Sequence, residues 1–260
     1  MVLIIDIGNT SLKAAVFSSN KKPLSFYCIN GKDKINNLFK SIKSKYDIAS
    51  CYICSVRPSM NKSVICATKL IFNIDAQIIK NQEFKNELDL SEFNINEIGT
   101  DILAYALFLK KKYKKCIGFC YGTAVFVIGV DNRRFYGAII SPVPSAGIRE
   151  LIKKTELIPT KYKAINTGNF FEFGANTLES LISGLNHYHS GIVLSIVNYL
   201  GEKFNFKNVC LTGGNAPKVE ELKGINRKIN FFNDYNAIIL GVSYLVFDKN
   251  KAKKDPTIKY

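Results

Sequence analysis

Long uncharged hydrophobic runs are absent from this 260-residue chain, and arginine is scarce. No stretch of about 18 uncharged apolar residues occurs, so the sequence predicts no membrane span. A charged residue, Asp6, interrupts the first apolar run, and no small-residue cleavage site follows it. We therefore expect no signal peptide and a cytoplasmic location. The hydrophobic content of 47% suits a globular protein of one large domain or two moderate ones.

The scarcity of arginine bears on the strong positive charge. The formal net charge is +15, yet only five of the 36 basic residues are arginine, namely Arg57, Arg133, Arg134, Arg149 and Arg227. Lysine, asparagine and isoleucine, all abundant here, share AT-rich codons, so genome composition explains the lysine excess without any partner. A nucleic-acid-binding module would rest on charge alone, and we do not expect a nucleic-acid partner.

Patterns of metal-binding cysteine and histidine are also lacking. The seven cysteines include one CxxC, Cys51 and Cys54, without a second pair, and it lies within an apolar run. This favours packed, reduced cysteines over a zinc site. His187 and His189 are the only histidines. Two residues apart on a predicted helix, they point to different faces and would not share one metal ion.

The most informative pattern present is the opening of the chain. An apolar run of strand length, 2–5, leads into the turn Asp6-Ile7-Gly8-Asn9-Thr10, and a second strand-like run follows at 13–17. Glycine lets the backbone approach a ligand closely, and free N–H groups with the Thr10 hydroxyl can bind phosphate oxygens. The carboxylate of Asp6 can hold the accompanying magnesium. An ordinary hairpin with Asp and Gly in its turn is the alternative.

The second half of the chain repeats this theme. An apolar run at 116–120 leads through Tyr121-Gly122-Thr123 into a strand-like run at 124–130. Later, 208–211 runs into Thr212-Gly213-Gly214. Two strand–Gly-Thr–strand units and a late Thr-Gly-Gly are the arrangement expected of two similar domains facing one nucleotide.

The alternation of patterns predicts two α/β units joined near 113–116. The expected strands are 2–7, 12–18, 24–29, 48–55, 116–121, 123–130, 134–141, 207–212 and a short one near 230. The expected helices are 33–46, 59–70, 100–113, 145–154, 174–201, 214–223 and 236–247, and 81–98 is expected to be irregular. We place the domains at 1–114 and 115–248, followed by a mobile charged tail at 249–260.

Taken together, these segments make the chain resemble a known group of proteins. Its order of segments is similar to that of the sugar kinase, Hsp70 and actin superfamily, and within it to type III pantothenate kinase. The matching pieces, in the family's order and near its spacing, are Asp6–Thr10, Cys54–Pro58, Ile98–Asp101, Gly122–Ala124, Gly137–Ile140, Thr177–Gly184 and Leu211–Gly214. No single piece is specific, but the combination is.

The resemblance implies two ribonuclease H-like (actin-like ATPase) domains with a nucleotide cleft between them. It implies ATP- and Mg²⁺-dependent phosphorylation of pantothenate to 4′-phosphopantothenate, the first step of coenzyme A biosynthesis, in a homodimer whose subunits complete each other's pockets. The expected ATP- and phosphate-binding residues are Asp6, Ile7, Gly8, Asn9, Thr10, Ser11, Leu12, Lys13, Gly122, Thr123, Gly213 and Gly214. The expected pantothenate-binding residues are Gly99, Thr100, Asp101, Ile102 and Thr177.

Three of these roles have plain structural alternatives. The resemblance implies that Asp101 accepts the proton of the substrate's primary hydroxyl, but an Asp that opens a helix is also a common cap. Thr177 precedes a long helix and could likewise be a cap. Lys13 could add positive charge near the transferred phosphoryl group or could be a solvated strand residue.

The chain also departs from the family's pattern. Cys120 stands where the family has an aspartate that helps bind a monovalent cation, K⁺ or NH₄⁺, and a thiol is a poor ligand for a hard ion. Ile102 stands where the family tends to have arginine, and Val125–Ile128 replaces a Thr-Thr-x-Asp sequence. The chain is therefore either a divergent active kinase or a catalytically degenerate nucleotide-binding accessory protein.

Overall fold

A computed structural model describes residues 1–159, 172–217, 222 and 228–254. The contacts within the chain divide it into two compact units. The first unit comprises Met1–Gly118, Ile128–Ala138 and Tyr235–Tyr260, and the second comprises Phe119–Val127 and Ile139–Asp234. The predicted boundary between 114 and 115 stays a prediction.

The described elements alternate as the sequence predicts. The strands are β1 Val2–Ile7, β2 Leu12–Phe17, β3 Pro23–Ile29, β4 Ser50–Ser55, β5 Gln77–Ile78, β6 Lys115–Tyr121, β7 Ala124–Asp131, β8 Arg134–Pro142, β9 Asn208–Thr212 and β10 Asn230–Asn233. The helices are α1 Ile35–Lys43, α2 Pro58–Phe72, α3 Thr100–Tyr113, α4 Pro144–Lys154, α5 Thr177–Phe204 and α6 Ala237–Lys254. Two five-stranded mixed sheets, ordered β3-β2-β1-β4-β5 and β10-β9-β6-β7-β8, confirm the α/β class.

Strand β1 is the centre of the first sheet. It pairs antiparallel with β2 and parallel with β4. Its apolar residues Leu3, Ile4 and Ile5 are fully buried, which explains the continuous hydrophobic run in the sequence. Since parallel strands end at the same sheet edge, this pairing places Asp6 directly beside Cys54.

Helices α3 and α6 cross very closely in the first unit. A Cβ atom added at Gly241 of α6 would lie 1.8 Å from the main-chain carbonyl oxygen of Ala104 in α3. Only glycine permits this approach. The crossing fixes the position of α3 close to its amino-terminal end, where Asp101 lies.

Half-buried ion pairs join α3 to its neighbours. Glu87 lies 2.6 Å from the Lys110 amine and 3.1 Å from the Lys111 amine, and Lys111 also lies 2.9 Å from Asp248 on α6. Burial alone would raise the pKa of Glu87, but the hydrogen bonds from both lysines hold it below its ordinary value. The network supports the same helix pair that the Gly241 crossing brings together.

Several boundaries differ from the prediction. The expected helix at 33–46 is a 3₁₀ helix, Lys32–Lys34, followed by α1. Strand β5 and a 3₁₀ helix at Asn81–Phe84 were not predicted, because both are too short to show a period.

The expected features near the carboxyl end are corrected in part. Residues 213–217 form a turn rather than a helix start, and nearly all of the rest of the predicted helix 214–223 lies outside the described residues. Residues 249–254 continue α6 instead of forming a mobile tail, and Lys249 pairs with Glu83. Residues 255–260 lie outside the described part. Among the described residues, no helix combines the length and apolar character needed to cross a membrane.

We predict that Gly241→Ala destabilises the protein by at least about 2 kcal/mol, because the new methyl group would overlap the Ala104 carbonyl. Urea-induced unfolding would measure this. The matched control is Gly184→Ala in α5, where an added Cβ meets nothing within 4 Å and helix propensity favours alanine. Equal stability of the two variants would contradict the close crossing.

Candidate functional site

Asp6 is a buried carboxylate at the end of β1, with its residue only 7% exposed. Burial and, to a smaller extent, the nearby Asp101 raise its pKa to about 7, although Lys13 on β2 opposes both effects. Because the charge of Asp101 acts on Asp6, the two carboxylates lie near each other in the first unit. That both serve one site stays a prediction.

Asp101 lies in the first turn of α3 and is not its cap. The N-cap position belongs to Gly99, and no side chain makes a capping hydrogen bond there. Instead the Asp101 Oδ1 atom accepts a hydrogen bond of 2.8 Å from the main-chain N–H of Ile102. Burial raises the pKa of Asp101, and main-chain hydrogen bonds offset part of this rise. Asp101 is therefore not the N-cap residue, although its carboxylate does satisfy a main-chain N–H group of the first turn.

The turn that carries Asp101 is held from one side by Asn81. The Asn81 amide donates to the carbonyl oxygens of Ile95 and Ile98, at 2.8 Å and 2.6 Å. The Thr100 hydroxyl donates to the Asn81 Oδ1 atom at 2.6 Å. Thr100, a residue expected to contact substrate, thus has Asn81 as a structural partner. Gly99 leaves room for the Asp101 carboxylate, because a Cβ atom added there would lie 2.4 Å from the Asp101 Oδ1 atom.

Cys54 brings a thiol to the same buried region. It is the register partner of Asp6 on β4 and is fully buried. Burial raises the pKa of Cys54 well above its ordinary value, and the charges of Asp6 and Asp101 raise it further. The thiol is therefore neutral and inert as a nucleophile, and it forms a low-polarity wall beside the carboxylates.

Lys13 and the first turn complete this part of the site. The Lys13 amine donates to the Tyr235 carbonyl oxygen at 3.2 Å and acts electrostatically on Asp6, so Lys13 is more than a solvated strand residue. The Gly8 N–H donates to the Ser11 carbonyl oxygen at 3.0 Å, which closes the turn.

The residues predicted to bind ligand near this turn differ in their exposure to solvent. Asn9 and Thr10 are exposed at its tip. The side chains of Ile7, Leu12 and Ile102 are buried, so these three could reach a ligand only through main-chain atoms.

The second unit brings its two glycine-rich turns together. A Cβ atom added at Gly213, which has φ +100°, would lie 2.3 Å from the Tyr121 carbonyl oxygen. The Gly122 N–H donates to the Ala124 carbonyl oxygen at 3.0 Å, and Gly122, Thr123 and Gly214 are exposed. The sequence predicted that both turns bind one nucleotide. In the structure the two turns are neighbours within the second unit.

Two further predicted positions lie in the second unit. Thr177 is the exposed first residue of α5, but the capping residue is Asn176, whose side chain accepts from the Glu179 N–H at 3.0 Å. The capping alternative for Thr177 is therefore wrong. Cys120 is buried in β6. A buried thiol does not fit a K⁺ or NH₄⁺ ion.

The carboxylate pair fits magnesium better than a closed metal site. Among the described residues, no group of three or more His, Cys, Asp or Glu side chains could hold a metal ion. Mg²⁺ is commonly bound by one or two carboxylates, with phosphate oxygens and water completing its shell. A cation would also relieve the repulsion between Asp6 and Asp101.

Comparisons with solved structures define the class of fold. A Campylobacter jejuni protein solved as a candidate Baf family transcriptional activator superposes with a TM-score of 0.54 at 16% identity, covering 96% of this chain and 99% of that one. The activator of 2-hydroxyisocaproyl-CoA dehydratase from Clostridium difficile, with bound ADPNP, gives 0.52 at 14% identity, covering 100% and 98%. The chain shares with these two proteins a two-sheet α/β fold, the class that the sequence predicted.

The family model for type III pantothenate kinase matches residues 2–199. The chain belongs to this family of enzymes and is therefore a kinase. Curated type III pantothenate kinases from Malacoplasma penetrans and Mycoplasma mobile are 27% and 26% identical to it. These alignments cover 96% and 93% of this chain and 97% of each relative.

Sequence reasoning did not assign Cys54, Arg57, Asn81 or Tyr235 to the site. Cys54 could have been found by pairing β1 with β4, since both are predicted apolar strands that end near polar turns. Asn81 and Tyr235 contact the site through turns, and neither contact leaves a local pattern in the sequence.

We predict that Asp6→Asn raises the thermal stability of nucleotide- and magnesium-free protein at high pH. The folded pKa of Asp6, about 7, exceeds its ordinary value of 3.8, so the native state loses stability as pH rises from about 4 to about 7. The variant escapes this loss, which reaches up to about 4 kcal/mol above pH 7.

Thermal unfolding from pH 4 to pH 9 measures the effect, with the exposed Asp33→Asn as control. A difference between Asp6→Asn and wild type that stays constant across this range would contradict the raised pKa.

Proposed function

We propose that this protein transfers the γ-phosphoryl group of ATP to the primary hydroxyl of pantothenate, giving 4′-phosphopantothenate, the first step of coenzyme A biosynthesis. The observation that carries the proposal is the buried Asp6 with the half-buried Asp101 acting on it electrostatically, in a chain of the type III pantothenate kinase family. Phosphoryl transfer to an alcohol needs a phosphate cradle, a metal and a group that orients the hydroxyl.

The first turn supplies the cradle in this proposal. The main chain from Asp6 to Lys13 approaches the phosphates, and Thr10 is exposed at the tip of the turn. The Lys13 amine adds positive charge beside Asp6. Asp6 would hold Mg²⁺, which neutralises phosphate charge when it is bound.

Asp101 would accept the proton that leaves the pantothenate hydroxyl as its oxygen attacks the γ-phosphorus. Burial raises the pKa of Asp101, so it is a stronger base than an ordinary aspartate. Its position in a hydrogen-bonded turn held by Asn81 also keeps the carboxylate in one orientation. Orientation and late proton acceptance suit the loose transition state of phosphoryl transfer.

The second unit would contribute to the binding of both reactants. We assign Gly122, Thr123, Gly213 and Gly214 to the nucleotide, because these turns expose main-chain groups without side-chain bulk. We assign the exposed Thr177 to pantothenate.

A second copy of the chain is part of this proposal. An apolar groove of about 420 Å³ lies along α5 in the second unit. Its lining includes Val127, Ile139, Tyr188, Ile192 and Ile196. Exposed apolar surface of this kind favours a homodimer. We also propose a cytoplasmic location, where ATP and pantothenate are present together.

The second candidate function is a nucleotide-binding accessory protein without turnover. Cys120 and Ile102 favour it, because they replace an aspartate and an arginine of the family pattern. We rank it second because Asp6, Asn9, Thr10 and Asp101 are all retained.

We predict that purified protein with ATP, Mg²⁺ and pantothenate forms phosphopantothenate, and that Asp101→Asn lowers turnover at least about a hundredfold because the proton acceptor is lost. Mass spectrometry of the product measures both. Asp33→Asn, an exposed carboxylate removed in the same unit, is the control and should remain active. If wild type binds ATP in calorimetry yet forms no product, the accessory function is correct; near-normal turnover of Asp101→Asn would remove Asp101 from the chemistry.

We predict little activation by monovalent cations, less than about twofold, since a buried thiol at Cys120 offers no hard oxygen ligand. Initial rates in K⁺, NH₄⁺, Na⁺ and tetramethylammonium chloride at one ionic strength test this. An absolute requirement for K⁺ or NH₄⁺ would show that other groups build the cation site.

A further inference from the structure

Arg57 is held in place where β4 leads into α2. It is the N-cap residue of α2, and Pro58 begins that helix. The Arg57 main-chain N–H donates to the Ser55 hydroxyl at 3.2 Å, and that hydroxyl donates to the Asn61 Oδ1 atom at 2.6 Å. The backbone of Arg57 is therefore fixed next to the strand end that carries Cys54.

The guanidinium group of Arg57 lies at the turn that follows β1. Its Nη1 atom donates to the Asn9 carbonyl oxygen at 3.2 Å, and the residue is exposed. A guanidinium carries five N–H donors, and the bond to Asn9 uses one of them. Within the described residues, no carboxylate forms an ion pair with Arg57.

The negative charges near the Asp6–Thr10 turn favour a positively charged side chain beside it. A magnesium-bound nucleotide is still negatively charged, and Asp6 and Asp101 already repel each other nearby. The positive charge of Lys13 lowers the pKa of Asp6, and the Lys13 amine also donates a hydrogen bond to the Tyr235 carbonyl oxygen. A planar guanidinium that is anchored by one N–H can present the others to a carboxylate or phosphate in a bidentate manner.

We propose that Arg57 binds an oxyanion of the reactants at the Asp6–Thr10 turn, either a phosphate of the nucleotide or the carboxylate of the acceptor. This assignment rests on the proposed function and names a ligand contact that the sequence motifs did not. The contact with Asn9 orients the guanidinium, and the remaining N–H groups make the contact to the ligand.

The test uses Arg57→Gln and Arg57→Lys, with Arg133→Gln as matched control. Arg133 is also exposed and donates to a main-chain carbonyl, that of Lys85, at 3.3 Å, away from the turn. We expect Arg57→Gln to raise the KM of one reactant about tenfold or more, with kcat within about threefold and an unchanged Tm. Arg57→Lys recovers part of the loss, and Arg133→Gln behaves as wild type.

The two reactants distinguish the source of the oxyanion. A raised KM for ATP alone assigns the contact to phosphate, and a raised KM for pantothenate alone assigns it to the carboxylate. KM values within about twofold of wild type, equal rises in both, or the same effect in Arg133→Gln would overturn the assignment.

Calorimetric titration with Mg·ATP and with pantothenate distinguishes the failure of the Arg57 contact from the failure of the proposed function. Active wild type with unchanged binding in Arg57→Gln defeats the Arg57 contact alone. Wild type that neither binds nor turns over these reactants defeats the proposed function, and the Arg57 assignment falls with it.

Discussion

The burial of Asp6 beside the half-buried Asp101 in the first unit is the constraint on which the rest of the structure depends. Asp6 and Asp101 raise the free energy of the ligand-free protein when both are charged, because neither is fully hydrated and they repel each other. In the function proposed above, a divalent cation held by Asp6 would relieve this repulsion, which would favour binding of the cation.

The two carboxylates lie on closely packed elements of the first unit. The fully buried β1 and its parallel neighbour β4 fix Asp6 beside Cys54. The close crossing of α3 and α6 at Gly241 fixes the helix that carries Asp101. The two carboxylates are therefore positioned by regular elements packed in the core, while Asn9 and Thr10 are exposed in the turn between β1 and β2.

Local patterns in the sequence predicted a large part of this arrangement. The apolar run with Asp-x-Gly-x-Thr gave the first hairpin, and Gly99-Thr100-Asp101 gave the start of α3, because both signals lie within a few residues. The partners of these residues lie far away in the chain. The Thr100 hydroxyl is bound by Asn81, and capping of α5 goes to Asn176 although Thr177 is also a capping type. The partner of Thr100 depends on a tertiary contact, and the identity of the α5 cap depends on a shift of one residue in the helix start. No local sequence pattern predicts either of them.

The most direct test of the shared site is a carboxyl-carbon NMR titration of the ligand-free protein. Asp6 should titrate near pH 7 in the wild type, and its pKa should fall in Asp101→Asn, because the neighbouring charge that raises it is gone. An Asp6 that titrates near its ordinary value of 3.8, or whose pKa does not respond to the change at Asp101, would contradict a single site formed by the two carboxylates.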